Sequence, residues 1–475
     1  MLKGATRELW LVFAIKFLAV AAYGLTNSTL KLWLSSDFGY SDKEALGLVA
    51  AWSLSMTVFT LLVGSLTDAI GLRKTFFLGV WICIAARAVM GLTTLKWLAL
   101  AGGLFPLAVG EALGTPVLVA AVRRYSNTRQ RSISFSVFYA MMNVGFLIAS
   151  FLFDYFRSAQ ALGEHGHFTL FGLQISTYRS LFLVSLVLEL SLLPFIYFLR
   201  KGAEATDEGL RLVPELPKYP RENLWNAFRL TARDSVDDTI RLFGGLLRQT
   251  GFYRLLAFLI LIAFLKLIFM QMYYVFPTFG IRELGEGAPV GRLWAINSIL
   301  IIVLVPIVGA LTQKFPAYRM VIFGGFISAA SVFIMALPTH WFVSLANGFF
   351  GHLVAHKYLG LHGGVHPYYV MIALFVVLLS VGEAFYSPRV YEYASAIALK
   401  GQEASYAALS YIPFLLAKLL IGTFSGFLLA NYCPEVGERH SGTMWLAVAL
   451  TATIAPVGLI ALRRYIRVHE AGRSD

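Results

Sequence analysis

Long apolar segments separated by short polar connectors run along the whole chain. The segment 255–276, for example, is LLAFLILIAFLKLIFMQMYYVF, and about 20 such residues are enough for a helix to cross a bilayer. Division of the sequence at charge clusters and turn residues predicts twelve transmembrane helices. They lie near residues 9–34, 45–66, 75–93, 97–121, 134–156, 179–199, 253–279, 290–312, 319–337, 368–390, 404–430 and 442–462.

These spans predict an all-α integral membrane protein of two pseudo-symmetric six-helix bundles. The first bundle covers residues 1–199 and the second covers 253–475. Between them, residues 200–252 form a cytoplasmic linker, and its segment ENLWNAFRLTARDSVDDTIRLFGGLLRQ has the pattern of an amphipathic helix. Within the second bundle, the long connector 338–367 is predicted to be an outer insertion at the membrane surface.

The composition excludes a soluble globular protein. Hydrophobic residues make up 58% of the chain and charged residues 14%, whereas a typical soluble domain has roughly 25% charged residues. With a mean hydropathy of +0.70, the chain has more apolar surface than a water-soluble fold could bury.

The net charge of +13 does not indicate nucleic-acid binding, because the basic residues concentrate in short connectors, as they do in cytoplasmic loops. This distribution predicts a multi-pass protein of the inner (cytoplasmic) membrane with both termini in the cytoplasm. The basic residues that set this orientation are Arg73, Lys74, Arg123, Arg124, Arg129, Arg131, Lys314, Arg319, Arg463, Arg464 and Arg467.

The sequence has no pattern typical of an enzyme. It contains no nucleophile with an accompanying base and no phosphate-binding loop for ATP, so we expect no cofactor and an ion gradient as the energy source. His352 and His356 have the i, i+4 spacing of metal ligands, but no acidic or cysteine ligand accompanies them. We therefore expect no metal site there, and an interfacial or pH-responsive segment instead.

Two short motifs occur once in each half of the chain. GSLTDAIGLRK (64–74) follows the second span, and GALTQKFPAYR (309–319) follows the eighth. GEALGTP (110–116) in the fourth span matches GEAFYSP (382–388) in the tenth. Internal repeats of this kind are how many secondary transporters form a binding site at the membrane midplane.

The first of these motifs resembles the loop signature of the major facilitator superfamily, Gly-x-Leu-x-Asp-Arg-x-Gly-Arg-Lys, with Ala69 where arginine is usual. A tight glycine turn beside an acid and several cations forms a latch between rigid bodies. The resemblance implies a gating loop formed by Gly64, Asp68, Gly71, Arg73 and Lys74.

Within that superfamily, residues 110–150 and 382–388 are similar to helices four, five and ten of the proton-coupled oligopeptide transporters. The first span lacks that family's Glu-x-x-Glu-Arg motif, and Thr115 stands where the family has a lysine. The resemblance therefore implies a related transporter whose substrate differs from a peptide or is bound differently. It also implies that helices one, four, seven and ten line a central cavity.

Four ionisable residues fall inside predicted spans at repeated positions: Lys16 and Glu111 in the first half, and Lys266 and Glu383 in the second. A charged side chain in a bilayer is costly and usually marks a transport pathway. We expect the lysines to attract an anionic group of the substrate and the glutamates to carry a proton. The alternative is a permanent Lys–Glu pair that joins helices.

Other polar residues in the spans are candidates for substrate binding. Lys418 adds a third cation, and tyrosine and asparagine side chains suit a substrate with polar and apolar parts. Arg87 and Glu189 are interpreted as structural, with Arg87 reaching towards the membrane surface. The uncharged candidates are Asn27, Tyr139, Asn143, Tyr273, Asn297 and Tyr386.

These residues predict a secondary active transporter that moves a small anionic or zwitterionic solute by alternating access and proton-coupled symport. The solute would be an organic acid, a carboxylate chelate or a peptide-like molecule, and we expect the transporter to be a monomer in the lipid bilayer. Two alternatives stay open. One is a proton-antiport exporter of drugs or metabolites, although export of cationic drugs would favour acids over lysines in the cavity. The other is a non-transporting receptor, which would bind ligand without accumulating it.

Overall fold

A computed structural model describes most of residues 5–467. Inside some helices and strands it describes the backbone but not the side chains, as at 61–70, 115, 131–132, 209–210, 391, 394–397, 412, 414–415, 421 and 423. Residues outside the description are 1–4, 128–129, 171, 201, 207–208, 213–218, 220, 224, 228, 231–232, 235, 238–243, 245–246, 398–411 and 468–475.

The first half of the chain contains six long helices. A short helix (Lys96–Leu98) and a π-helical turn (Ala99–Leu104) lead into the fourth, and Leu192–Tyr197 extends the sixth. The six are α1 (Arg7–Phe38), α2 (Asp42–Ile70), α3 (Leu72–Leu92), α4 (Phe105–Tyr125), α5 (Arg131–Arg157) and α6 (Thr177–Leu190).

The described residues of the second half contain six further helices. A short helix, Phe276–Leu284, separates the first two, and the eleventh continues through a π-helical turn (Ile421–Ser425) into Gly426–Tyr432. The chain's last described helix is the short Arg463–Ile466. The six are α7 (Thr250–Tyr274), α8 (Val290–Leu311), α9 (Ala317–Phe333), α10 (Pro367–Ile397), α11 (Ile412–Leu420) and α12 (Ser441–Ala461).

Each predicted span therefore corresponds to a helical segment. In the described part of the chain, ten helices are long and apolar enough to cross a membrane, and α2 and the α11 segment account for the other two predicted spans. Prolines inside α4, α8, α10 and α12 are tolerated because neighbouring helices can satisfy the freed backbone groups of membrane helices. The predicted all-α membrane fold is confirmed.

Two β hairpins and several short helices are features that the periodicity did not predict. The hairpins pair β1 (His167–Leu170) with β2 (Leu173–Ser176) and β3 (Ala203–Thr206) with β4 (Gly209–Leu212). The predicted amphipathic helix of the linker is described in part, and its described residues 225–227, 229–230, 233–234 and 236–237 are helical. The connector after α9 consists of Ile334–Ala336, Thr339–Phe342, Val343–Asn347, Phe349–Gly351 and the π-helical His352–Tyr358.

The chain divides into two compact units. One consists of Met1–Trp33 with Ala51–Gly245, and the other of Leu34–Ala50 with Leu246–Asp475. The end of α1 and the start of α2 thus belong with the second half of the chain. The boundaries predicted from sequence at 199 and 253 stay a prediction.

The repeated Gly-Glu motif has the same packing role in each unit. A Cβ added at Gly110 on α4 would lie 3.0 Å from the Gly79 carbonyl oxygen on α3, and one added at Gly382 on α10 would lie 2.7 Å from the Gly324 oxygen on α9. Only glycine permits such close helix contact. The motif therefore fixes the α3–α4 and α9–α10 pairs and places the glutamate that follows each glycine.

Candidate functional site

Arg87 is the centre of a buried ion cluster in the first unit. Its guanidinium donates from Nη2 to Glu111 Oε1 on α4, and from Nη1 to Glu189 Oε2 on α6 at 3.2 Å. Its Nε donates to Thr26 Oγ1 on α1 at 3.4 Å. The Arg87 side chain is fully buried, so the expectation that it reaches towards the membrane surface is wrong. One guanidinium instead joins four helices.

Lys16 on α1 is a second cation that acts on Glu111. Its ammonium sits 4.7 Å from the centroid of the Phe138 ring, and it interacts electrostatically with Glu111. Because Glu111 has Arg87 as its ion-pair partner, a simple Lys16–Glu111 pair does not describe this site. Glu111 therefore interacts with two cations, Arg87 and Lys16.

The second unit holds a different arrangement around Glu383. Asn297 on α8 donates from Nδ2 to Glu383 Oε2 and to Ser380 Oγ, both at 3.0 Å. Lys266 on α7 interacts electrostatically with Glu383 and donates to Ser387 Oγ at 3.3 Å. This carboxylate is thus held by a neutral amide and a nearby lysine.

Lys266 is also packed against aromatic rings. Its ammonium lies 5.0 Å from the Tyr386 ring centroid and 5.3 Å from that of Phe269, distances at which a cation is attracted to a ring face. Tyr386 is fully buried. Its ring therefore supports the lysine, and a ligand would reach it only after a rearrangement.

Lys418 on α11 is buried, with 8% of its surface exposed. It forms no hydrogen bond or ion pair with the described residues. A buried cation without such a partner is destabilising by itself.

The remaining predicted ligands have local contacts. Asn27 and Asn143 each donate from Nδ2 to a carbonyl of their own helix, that of Tyr23 at 2.9 Å and that of Tyr139 at 3.0 Å. Tyr273 packs edge-on against Trp294, with ring centroids 5.9 Å apart.

Part of the predicted gating loop can be described. Gly71 precedes α3 with φ at 88°, a conformation that favours glycine. The Arg73 guanidinium lies 5.7 Å from the Phe77 ring centroid and 5.4 Å from that of Tyr197, and Lys74 is exposed. Gly64 and Asp68 lie in the described backbone of α2, and the Asp68 side chain lies outside the description.

Comparison with known proteins gives a family match over most of the chain. The model of the Major Facilitator Superfamily matches residues 12–356. Among curated proteins no sequence matches this chain. Many solved structures share the fold.

Three of these structures are transporters at low sequence identity, so the likeness concerns the fold. A POT family transporter in complex with a thioalcohol-conjugated peptide has a TM-score of 0.72 at 16% identity, covering 97% of each chain. A POT family transporter in complex with 5-aminolevulinic acid has a TM-score of 0.71 at 15% identity, also over 97% of each. A structure of a proton-dependent oligopeptide transporter gives 0.70 at 18% identity, over 97% of this chain and 98% of that one.

Proposed function

Because this chain belongs to the Major Facilitator Superfamily and is therefore a multi-pass membrane transporter, we propose that it carries a small anionic or zwitterionic solute by proton-coupled symport through alternating access. Both termini lie in the cytoplasm of the inner membrane, in keeping with the basic short connectors. Glu111 and Glu383 are the proton-coupling residues, and Lys16, Lys266 and Lys418 attract the solute's negative group.

The arrangement around Glu383 supports this proposal most strongly. Glu383 is buried, with 8% of its surface exposed. It accepts a hydrogen bond from the Asn297 amide at 3.0 Å and interacts electrostatically with Lys266. When a carboxylate solute binds Lys266, the solute and Glu383 compete for one cation. Protonation of Glu383 then favours solute binding, and this mutual dependence is thermodynamic coupling.

The solute class follows from the sign of the buried charges. Three lysines attract anions, and the structural neighbours were solved with 5-aminolevulinic acid and with a conjugated peptide, both of which fit a carboxylate or zwitterion. The first helix, α1, lacks the oligopeptide transporters' Glu-x-x-Glu-Arg motif, and Thr115 replaces their lysine. Both differences argue against an ordinary peptide site. A small amino acid-like or organic acid solute is the class we expect here.

Uptake into proteoliposomes tests the proposal. The probes are 5-aminolevulinic acid, dialanine, citrate and a carboxylate metal chelate, each under an imposed gradient with an alkaline interior. We expect accumulation of at least one probe by the wild type. Glu383→Gln should exchange internal for external probe but lose accumulation driven by the pH gradient.

The matched control is Glu392→Gln. Glu392 is on the same helix as Glu383, is paired with Arg389 at 2.6 Å and is about one-third exposed, so its loss should leave accumulation unchanged. Normal gradient-driven accumulation by Glu383→Gln, or failure of every anionic and zwitterionic probe, would contradict the proposal.

A further inference from the structure

The first unit contains a buried three-residue ion cluster that the sequence did not predict. Arg87, Glu111 and Glu189, called the Arg87 triad below, come from α3, α4 and α6. Their side chains are 0%, 15% and 6% exposed. A single guanidinium therefore bonds two carboxylates in a place where water is scarce.

The net charge of the triad together with Lys16 is zero. Two ionised carboxylates and Arg87 sum to a net charge of −1, and Lys16, which interacts with Glu111, brings the total to zero. The other titratable groups that face these residues are Tyr23 on α1 and Cys83 on α3. Any change in charge at Lys16, for example its pairing with a solute anion, leaves one carboxylate without compensation.

The two glutamates differ in a way that assigns them separate roles. Glu111 has the more exposed side chain and lies in the field of both Lys16 and Arg87. Glu189 has Arg87 as its ion-pair partner. If Glu111 becomes neutral, Glu189 still compensates the buried guanidinium, which would otherwise be an expensive lone charge.

We infer that the Arg87 triad is the proton-exchange unit of the first half, in which Glu111 gains and loses the proton and Glu189 is a positioning residue that holds Arg87 charged and in place. This inference rests on the proposed proton coupling and adds Arg87 and Glu189 to it. A purely structural cluster would instead hold both carboxylates ionised at every pH at which the protein is folded.

Infrared difference spectroscopy of the purified protein tests this without any substrate. The carbonyl stretch of a protonated carboxyl group reports proton uptake as the pH is lowered, and Glu111→Gln identifies the part of the signal that belongs to Glu111. Glu189→Gln should move the pH midpoint of that signal down by roughly one to two units. The reason is that Arg87 then pairs with Glu111 alone and stabilises its ionised form.

A second variant should move the midpoint in the opposite direction. Arg87→Gln/Glu189→Gln removes a whole ion pair, so the buried charge stays balanced, and Glu111 should take up its proton at higher pH than in the wild type. Either variant decides the question if the other fails to fold.

A second buried arginine offers the matched control. Arg157 contacts Asp154 at 3.5 Å and also pairs with Glu164, which accepts a hydrogen bond from Tyr178 at 2.6 Å. Glu164→Gln should leave the Glu111 midpoint unchanged. An unchanged midpoint in a triad variant that folds, or a signal that survives Glu111→Gln, would overturn the inference. Because no solute is used, a failure of the uptake experiment would contradict the proposed function and not this result.

Discussion

Replacing Gly382 by alanine should separate α9 from α10 and destabilise the second unit. The new Cβ would lie 2.7 Å from both the Gly324 carbonyl oxygen and the Ser328 backbone nitrogen, and it would also meet Ser328 Oγ. Ordinary contact begins near 3.4 Å, so two backbones must move apart by about 0.7 Å, which is the difference between 3.4 and 2.7 Å. Overpacking of this kind costs about 1–3 kcal/mol.

The cost should fall near the upper end of that range, because the obstructing atoms belong to the backbone and cannot change rotamer. The displacement would also move Glu383, the next residue, relative to Asn297 on α8, whose bond to Glu383 is 3.0 Å long. We therefore expect lower thermal stability in detergent together with impaired uptake.

The control is Gly114→Ala on α4, where an added Cβ meets no atom within 4 Å. In a helix interior this exchange should be neutral or slightly stabilising, since alanine has the higher helix propensity by about 1 kcal/mol. Thermal unfolding followed by intrinsic fluorescence compares the two variants directly. Equal unfolding temperatures for Gly382→Ala and Gly114→Ala would refute the close-contact argument.

Three further changes test other parts of the structure. Arg282 donates to both Asp42 carboxylate oxygens, at 2.7 and 3.1 Å, so Asp42→Asn and Arg282→Gln should each reduce thermal stability. A double-mutant cycle should show a coupling free energy of about 1 kcal/mol or more, and strict additivity would disprove the ion pair. Lys418→Leu should raise the unfolding temperature and lower uptake, because a charge buried in a membrane helix costs stability and usually serves function. Unchanged uptake would remove Lys418 from the site. Gly71→Ala should cost about 1–3 kcal/mol, measured by chemical denaturation, because φ is 88° there; wild-type stability would show that the turn adapts.

The spans and the repeated Gly-Glu motif could be predicted from the sequence, because both are local patterns. A run of apolar residues is long enough to cross a membrane whatever it packs against. The glycine in GEALGTP and GEAFYSP precedes a buried glutamate in both halves, and the close helix contacts at Gly110 and Gly382 give this repeat its physical reason.

The partners of the buried charges could not be predicted in the same way. Arg87 and Glu189 are 102 positions apart, and a sequence shows only that each is an ionisable residue in an apolar segment. The free-energy cost of a charge inside an apolar span is itself a usable signal. An arginine in the third span with no acidic residue in its own helix needs a partner on another helix. Repeat position pairs Lys16 with Glu111 and gives no place to Arg87.

Two other features depend on tertiary packing. The segment Leu34–Ala50 belongs with the second unit, where Asp42 bonds Arg282, although it lies early in the chain. The β1–β2 hairpin is four residue pairs long, too short for alternation to distinguish it from a polar loop.

Measurement of proton movement during solute entry is the most direct test of proton-coupled symport. Proteoliposomes loaded with a pH-sensitive dye receive external 5-aminolevulinic acid, dialanine or citrate with no imposed gradient. We expect the interior to acidify as the transported probe enters, and Glu383→Gln to admit the probe without acidification. Entry of the probe into wild-type vesicles with no change in internal pH would contradict proton-coupled symport.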